Sequence, residues 1–179
     1  MIEFIQQLIV WGVVVTQIGA GVLLLGVLFA RESTFVKVVG RKAVCVGFFL
    51  FLASVAGSLF YSSVLNFEPC LLCWWQRIFI VPQLVLFGVA LWTKREDVFL
   101  YSVYLSVIGG LIALYHNFLP YFESVGLGCG TDTASVSCVK LYINAFSYLT
   151  IPLMSLTVFA TAILLAISHK LYINRKDEK

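Results

Sequence analysis

Five long stretches of the chain carry almost no charge, and this feature limits the possible folds more than any other. A helix needs about 20 mostly apolar residues to cross the hydrocarbon core of a bilayer. Backbone groups in lipid must find partners within their own segment, and the alternating pattern of a β-barrel is not visible. The stretches are therefore predicted to be transmembrane helices, running from about Leu8 to Ala30, Ala43 to Leu65, Trp74 to Trp92, Val98 to Tyr115 and Tyr148 to Ile167.

The composition agrees with a membrane protein and excludes other classes. Apolar residues make up 61% of the 179 residues and charged residues 12%, against roughly half and roughly a quarter in an ordinary globular domain. So few charges cannot cover the surface of a soluble domain, and disorder needs the opposite balance. The net charge of +3 is too small to indicate a surface that binds nucleic acid.

The positions of Lys and Arg predict the orientation of the helices, because cytoplasmic loops of membrane proteins are enriched in both. The segment after the first stretch, the turn after the third and the C-terminal tail hold four, two and four of the twelve basic residues. We assign these segments to the cytoplasm, which places the N-terminus outside the cell membrane and the C-terminus inside. Segments 66–73 and 116–147 then face outward.

The first stretch could instead be a secretory signal peptide. Such peptides begin with a positively charged region and have a short apolar run. No Lys or Arg precedes this stretch, and its apolar run is longer. We therefore expect a retained helix.

Four of the five cysteines fall in the two outward segments, where thiols can persist as disulfides. The fifth, Cys45, lies at the cytoplasmic end of the second stretch and is expected to be a small buried apolar residue.

The pair Cys70 and Cys73 is the sharpest local signal. Pro69 suits the first turn of a helix, so the pair is expected in the opening turn of the third helix. The helix dipole there favours a thiolate and lowers a cysteine pKa, and Arg77 four residues further on adds a second cationic influence. The pattern indicates a redox-active pair, with a structural disulfide or a metal site as the open alternatives.

The second pair, Cys129 and Cys138, would by itself indicate only a loop closed by a disulfide. Beside the first pair on one membrane face, it predicts thiol–disulfide exchange, which passes two electrons at each step. Such a relay ending at a membrane needs a two-electron acceptor dissolved in the bilayer. The expected cofactor is a quinone, ubiquinone or menaquinone.

Four other polar residues lie near or within the helices. Arg77 is either functional or extends its charge to the interface, and both interpretations stay open. His116, at the outer end of the fourth stretch, is either a surface residue at the interface with its hydrogen bonds satisfied or part of the site. Gln76 and Gln83 are expected to form hydrogen bonds between helices.

Several strings of residues resemble the DsbB family of disulfide-forming membrane proteins, most closely its BdbC-like branch. The C-x-x-C-x-x-x-R pattern followed by a second outward cysteine pair is the most specific part of the likeness. The resemblance covers roughly Ala43 to Ile167. The strings are Gly57-Ser58-Leu59-Phe60, Pro69-Cys70-Leu71-Leu72-Cys73-Trp74-Trp75-Gln76-Arg77, Tyr142-Ile143-Asn144 and Leu149-Thr150-Ile151-Pro152.

The resemblance implies a catalytic role for each of the four outward cysteines. A thioredoxin-fold partner should attack Cys129, and Cys138 should then attack Cys70. Cys73 should be the thiolate that engages the quinone ring. Arg77 should bind a quinone oxygen, and His116 matches the family's histidine near the quinone.

The resemblance also implies the architecture, an all-α integral membrane fold. Residues 43–167 should form a four-helix transmembrane bundle. Residues 1–42 add an extra N-terminal transmembrane helix and a basic cytoplasmic loop, and residues 168–179 form a cytoplasmic tail.

Two features depart from the family. The extra helix has no counterpart there, so its role is open. The short spacing between Cys129 and Cys138 leaves the order of exchange open.

The resulting hypothesis is a quinone-dependent thiol–disulfide oxidoreductase of the cell membrane. It would reoxidise a DsbA-like thioredoxin-fold protein outside the cytoplasm and pass two electrons to quinone. One alternative is the same chemistry on a vitamin K epoxide reductase-like bundle, which usually carries its C-x-x-C motif after the loop pair. The other is a non-enzymatic membrane interaction protein with structural disulfides or a four-cysteine metal site. Metal sites usually space both cysteine pairs tightly, whereas eight residues separate Cys129 from Cys138. No metal is therefore expected.

Overall fold

The computed structural model of the chain describes residues 2–29, 34–122 and 148–177. Every secondary-structure element longer than one residue within these ranges is a helix. Cys129 and Cys138 lie outside the described residues. A π-helical segment, Phe60–Val64, continues the third helix toward segment 66–70. The six α-helices are α1 (Ile2–Phe29), α2 (Thr34–Arg41), α3 (Ala43–Leu59), α4 (Leu71–Thr93), α5 (Val98–Phe122) and α6 (Ile151–Asp177).

Five helices in the described ranges are long and apolar enough to cross a membrane. They are α1, α3 with its π-helical continuation, α4, α5 and α6. This confirms the five predicted spans and the all-helical membrane fold.

The helices α3 to α6 form a closed four-helix bundle, because α4 contacts α3 and α5 while α6 contacts α5 and α3. Its interior contains Phe51, Phe87 and Phe159, none of which is exposed. Gly109 of α5 accommodates the Phe159 ring, which a Cβ atom at Gly109 would strike. Small residues that admit large ones in this way allow transmembrane helices to approach closely.

A buried hydrogen-bond network joins α4 to α5. The Gln83 side-chain carbonyl accepts hydrogen bonds from the hydroxyls of Ser102 (2.6 Å) and Ser106 (3.0 Å). All three residues are fully buried. This agrees with the interpretation of Gln83 as a residue that bonds one helix to another.

The extra helix α1 packs against α6 and α2, outside the bundle. Gln17 fixes it there, since its amide donates to the Thr157 hydroxyl (3.1 Å) and its carbonyl accepts from the Tyr148 hydroxyl (3.1 Å). The prediction of a four-helix bundle with one added N-terminal helix is therefore confirmed.

Segment 34–41 was expected to be a basic loop, but it forms the short helix α2. Its residues alternate with helical spacing, so that Val36 and Gly40 are buried while Lys37 and Arg41 are exposed. This is the pattern of an amphipathic helix. The Gly40 carbonyl also contacts Nδ1 of His169 in α6 (2.9 Å).

Four helices extend further than predicted, since α1 begins at Ile2 and α4 at Leu71, while α5 and α6 end later. α6 continues to Asp177, so most of the expected tail is helical, and α5 continues to Phe122. His116 therefore lies within a helix and is buried, so the interpretation of it as a surface residue is wrong. The division of the chain at residues 42 and 167 stays a prediction.

One end of the bundle gathers the residues on which the site depends. Leu149, just before α6, and Met154, in its first turn, form one buried cluster with Tyr61 and with Val10 of α1. The ring of Tyr61 stacks on Phe67, just before the cysteine pair. We call this end, which holds Cys70, Tyr61 and Leu149, the cysteine end.

Candidate active site

The cysteine pair lies where the sequence predicted it, at the start of α4. Cys70 is the N-cap residue, with an extended backbone (φ −67°, ψ 169°), and Cys73 lies in the first helical turn. The two sulfur atoms are 3.2 Å apart, and the Cys70 thiol donates toward Cys73. This proximity lets the pair alternate between dithiol and disulfide with little movement of the helix.

Burial distinguishes the two sulfurs. Cys70 is 6% exposed and packs against Leu119 of α5, whereas Cys73 is half-buried. The hydrogen bond to Cys73 and the burial of Cys70 raise the pKa of Cys70 to about 12. The expectation that the helix start lowers the pKa is thus wrong for Cys70, because the hydrogen bond to Cys73 and burial both favour the protonated thiol over the thiolate.

His116 contacts the same thiol from α5. Its Nε2 atom lies 3.8 Å from the Cys70 sulfur, and its Nδ1 atom lies 3.1 Å from the amide nitrogen of Gln76. Because an amide nitrogen only donates, Nδ1 is the acceptor and Nε2 carries the ring proton. His116 therefore donates toward Cys70, and this contact lowers the pKa of Cys70, against the larger opposing effects.

Gln76 connects this contact to a third helix. Its side-chain carbonyl accepts a hydrogen bond of 2.6 Å from the hydroxyl of Ser155 in α6. Gln76 is 3% exposed, so the network is shielded from water. Gln76 was predicted to join helices, but nothing in the sequence distinguishes Ser155 from the other hydroxyl residues of α6.

Arg77 is half-buried and is held by α3. Its Nε and Nη2 atoms donate to the hydroxyl and the carbonyl of Ser58, at 2.7 and 2.8 Å. The guanidinium carbon also lies 5.4 Å from the centre of the Trp74 ring. A guanidinium has five N–H donors, so these two bonds leave donors for a ligand. Ser58 belongs to one of the sequence strings that carry the family resemblance, but the sequence did not predict that it holds Arg77.

A cavity of about 650 Å³ opens onto the whole arrangement. Cavities that bind small molecules have volumes of about 300–1,000 Å³. Apolar side chains of α1, α3 and α6 form most of its wall. Seven predicted or newly found site residues line it: Ser58, Cys70, Cys73, Gln76, Arg77, His116 and Ser155.

The sulfurs of Cys70 and Cys73 and a ring nitrogen of His116 lie within 4.8 Å of one another, close enough to hold one metal ion. The nitrogen nearest the sulfurs is Nε2, which carries a proton in the observed hydrogen-bond arrangement. Metal binding would therefore require the other tautomer and a turned Gln76 amide. The observed arrangement favours thiol chemistry.

The second cysteine pair belongs to segment 123–147, outside the described residues. The residues on either side of that segment are at the cysteine end. Leu119, near the end of α5, packs on Cys70, and Leu149, just before α6, packs on Tyr61.

Comparison with known proteins gives a consistent family. A family model described as "Disulfide bond formation protein DsbB" matches residues 40–169. The SPbeta prophage-derived disulfide bond formation protein B of Bacillus subtilis is 38% identical over 132 residues, 74% of this chain and 86% of that protein. The disulfide bond formation protein C of the same organism is 33% identical over 116 residues, 63% of this chain and 81% of that protein.

A third relative, the probable disulfide formation protein C 1 of Bacillus anthracis, is 40% identical over 114 residues, 62% of this chain and 78% of that protein. No solved structure matches the chain significantly. The family match begins at residue 40, so the whole of α1 precedes it.

Proposed function

The chain belongs to the DsbB family of disulfide bond formation proteins, and from this we propose that it reoxidises a thioredoxin-fold dithiol protein outside the cytoplasm and reduces a membrane quinone. The family establishes a multi-pass membrane protein with a disulfide-forming role. The observation that carries the finer proposal is the position of the Cys70 and Cys73 sulfurs, 3.2 Å apart in the wall of a large apolar cavity.

In the proposed relay, one disulfide passes from the chain to the partner protein and two electrons pass from the partner to the quinone. A thiolate of the partner attacks Cys129 in the Cys129–Cys138 disulfide, which forms a mixed disulfide and releases Cys138. Cys138 attacks Cys70 in the second disulfide and releases Cys73. The partner's second thiolate then attacks its own mixed disulfide sulfur, which releases the oxidised partner and Cys129.

Cys129 closes the cycle by attacking Cys138, which restores the loop disulfide and leaves Cys70 and Cys73 as a dithiol. A quinone, when bound, accepts two electrons and two protons from this pair, which restores the second disulfide. Sulfur–sulfur bonds and electrons are balanced over the cycle.

The residues at the cavity fit a quinone. Its ring oxygens need hydrogen-bond donors, and Arg77 retains donors beyond the two that bind Ser58. Its ring and tail need an apolar surrounding, which the cavity wall provides. Arg77 is proposed to bind a ring oxygen. His116 is proposed to serve the same site, where it donates toward Cys70.

The two sulfurs are proposed to have different roles. Cys70 donates its proton toward Cys73 and has a raised pKa. Cys73 is therefore the sulfur better prepared to act as a thiolate toward the quinone. Cys70 is the sulfur that exchanges with the loop.

The relay requires both pairs on one membrane face. In support, segment 123–147 is attached on both sides at the cysteine end, near Cys70 and Tyr61. The distribution of Lys and Arg is the reason for proposing that this end faces outward. The N-terminus would then be outside and the C-terminus in the cytoplasm.

The test is steady-state turnover with a reduced thioredoxin-fold protein and a quinone, followed by quinone absorbance. Cys73→Ser should abolish turnover. Cys45→Ser is the matched control, because Cys45, which was expected to be buried, is exposed near the opposite end of α3 and does not line the cavity. Turnover retained by Cys73→Ser would instead favour a protein with purely structural disulfides.

A further inference from the structure

We propose that α1 forms one wall of a channel for the prenyl tail of the quinone, and that its residues select quinones by their tails. The inference rests on the proposed function, since that function supplies the occupant. It assigns a role to a helix that lies entirely before the region matched by the family.

One face of α1 borders the cavity along most of the helix. The residues on this face follow one another at intervals of three or four, as residues on a single helix face do. From first to last they extend about 22 Å at 1.5 Å per residue. They are Leu8, Gly12, Thr16, Gly19 and Leu23.

The cavity joins the redox site to the far side of the membrane-spanning region. Near the cysteine end its wall includes Cys70, Cys73 and Arg77. Towards the other end the wall is formed by Leu23 of α1, Val39 of α2 and Leu165 of α6. A molecule in this space would have a polar group at the sulfurs and an apolar chain along α1.

Glycines on α1 keep the space open. A Cβ atom added at Gly12 or at Gly19 would meet no heavy atom within 4 Å. A glycine that serves close helix packing has atoms of the neighbouring helix against it, as Gly109 has the Phe159 ring. Gly12 and Gly19 have no such neighbour. The hydrogen bonds of Gln17 to Thr157 and Tyr148 hold α1 beside this space without closing it.

A quinone tail is the occupant that these features favour. The space is apolar and continuous with the cysteine pair, so one molecule with a redox head and a hydrocarbon tail would fill both parts. A phospholipid acyl chain or an apolar helix of another protein would fill only the apolar part and would leave the sulfurs uncovered.

The first test narrows the channel. Gly12→Leu and Gly19→Leu each add a side chain where there is open space. Gly21→Leu is the matched control, because a Cβ atom there also meets nothing within 4 Å, yet Gly21 does not line the cavity. Each variant is assayed with two quinones that share a ring and differ in tail length.

Either narrowing variant should raise KM for the long-tailed quinone by about tenfold or more, since several buried CH₂ groups lose their place. KM for the short-tailed quinone should not change, and Gly21→Leu should match the wild type with both. Equal effects on both quinones, or no effect on either, would overturn the channel. A wild-type protein that reduces neither quinone would instead refute the proposed function.

The second test reads binding without turnover. Gly19→Cys and Gly21→Cys are labelled with a maleimide in detergent, and labelling at each position is measured by mass spectrometry. The long-tailed quinone should slow labelling at position 19 several-fold but not at position 21, and the short-tailed quinone should protect neither. Protection at position 19 by phospholipid alone, with none added by the quinone, would overturn the proposal and identify a lipid site.

Discussion

The Nε2 atom of His116 lies 3.8 Å from the sulfur of Cys70, so a buried imidazole on α5 donates toward the thiol that begins α4. The amide of Gln76 fixes which ring nitrogen carries the proton, and Ser155 fixes Gln76. Three helices of the bundle thus combine to set the protonation of one sulfur. In the proposed function, this arrangement governs how readily the reduced pair releases its protons.

The first prediction concerns the pH dependence of Cys70. Its pKa of about 12 reflects the hydrogen bond to Cys73 and burial, partly offset by His116. His116→Phe removes the offset, so the pKa should rise further and the thiolate fraction at a given pH should fall. Alkylation of Cys70 in the reduced protein, measured by mass spectrometry against pH, should therefore shift to higher pH. An unchanged profile would show that His116 acts only on packing.

The second prediction separates stability from activity at two buried glutamines. Gln83→Leu leaves the hydroxyls of Ser102 and Ser106 without their acceptor, which should cost about 1–3 kcal/mol of unfolding free energy. Gln83 does not line the cavity, so turnover per folded molecule should stay the same. Gln76→Leu should lose stability and also shift the Cys70 alkylation profile in the direction of His116→Phe.

Denaturation in mixed micelles measures the unfolding free energies of both variants. A Gln83→Leu protein with reduced turnover per folded molecule would contradict the separation. A normal alkylation profile in Gln76→Leu would show that Gln76 does not orient His116.

The third prediction concerns Arg77. Arg77→His should raise KM for quinone more than KM for the protein partner, because the guanidinium lines the cavity and holds donors for a ring oxygen. Ser58→Ala removes one of the two groups that hold the guanidinium and should produce a weaker effect of the same kind. Equal changes in both KM values would reduce Arg77 to an anchor between α4 and α3.

The fourth prediction concerns the order of exchange in the outer loop. A partner whose second cysteine is replaced by Ala can attack Cys129 and release Cys138 but has no thiol to resolve the mixed disulfide, so the adduct should accumulate on a non-reducing gel. Cys129→Ala, which lacks the loop disulfide that the partner attacks, is the matched control and should not yield this adduct. An adduct that forms only through Cys138 would reverse the proposed order.

Hydrophobic length was enough to predict the membrane fold, because it follows directly from the cost of placing polar groups in lipid. The same reasoning placed Cys70 and Cys73 at the start of α4 and Gln83 between helices. These predictions rest on local signals in the sequence, and the structure agrees with them. The orientation inferred from the placement of Lys and Arg stays a prediction.

Contacts between distant helices could not be predicted in the same way. The roles of Ser155 and Ser58 depend on which face of α6 or α3 meets α4, and an apolar helix shows little periodicity from which to read that face. The raised pKa of Cys70 depends on burial by Leu119 from another helix. α2 was missed because eight residues between two long apolar stretches were judged by their basic charge, and the helical spacing of Val36 and Gly40 was not considered.

The most direct test of the account isolates the helix pair from the loop. A variant with Cys129→Ala and Cys138→Ala is reduced, freed of reductant and mixed anaerobically with quinone, with no partner protein present. The account predicts an equimolar loss of oxidised quinone and gain of a Cys70–Cys73 disulfide, since the exchange moves two electrons. Quinone that stays oxidised, or that is reduced while Cys70 and Cys73 remain thiols, would contradict it.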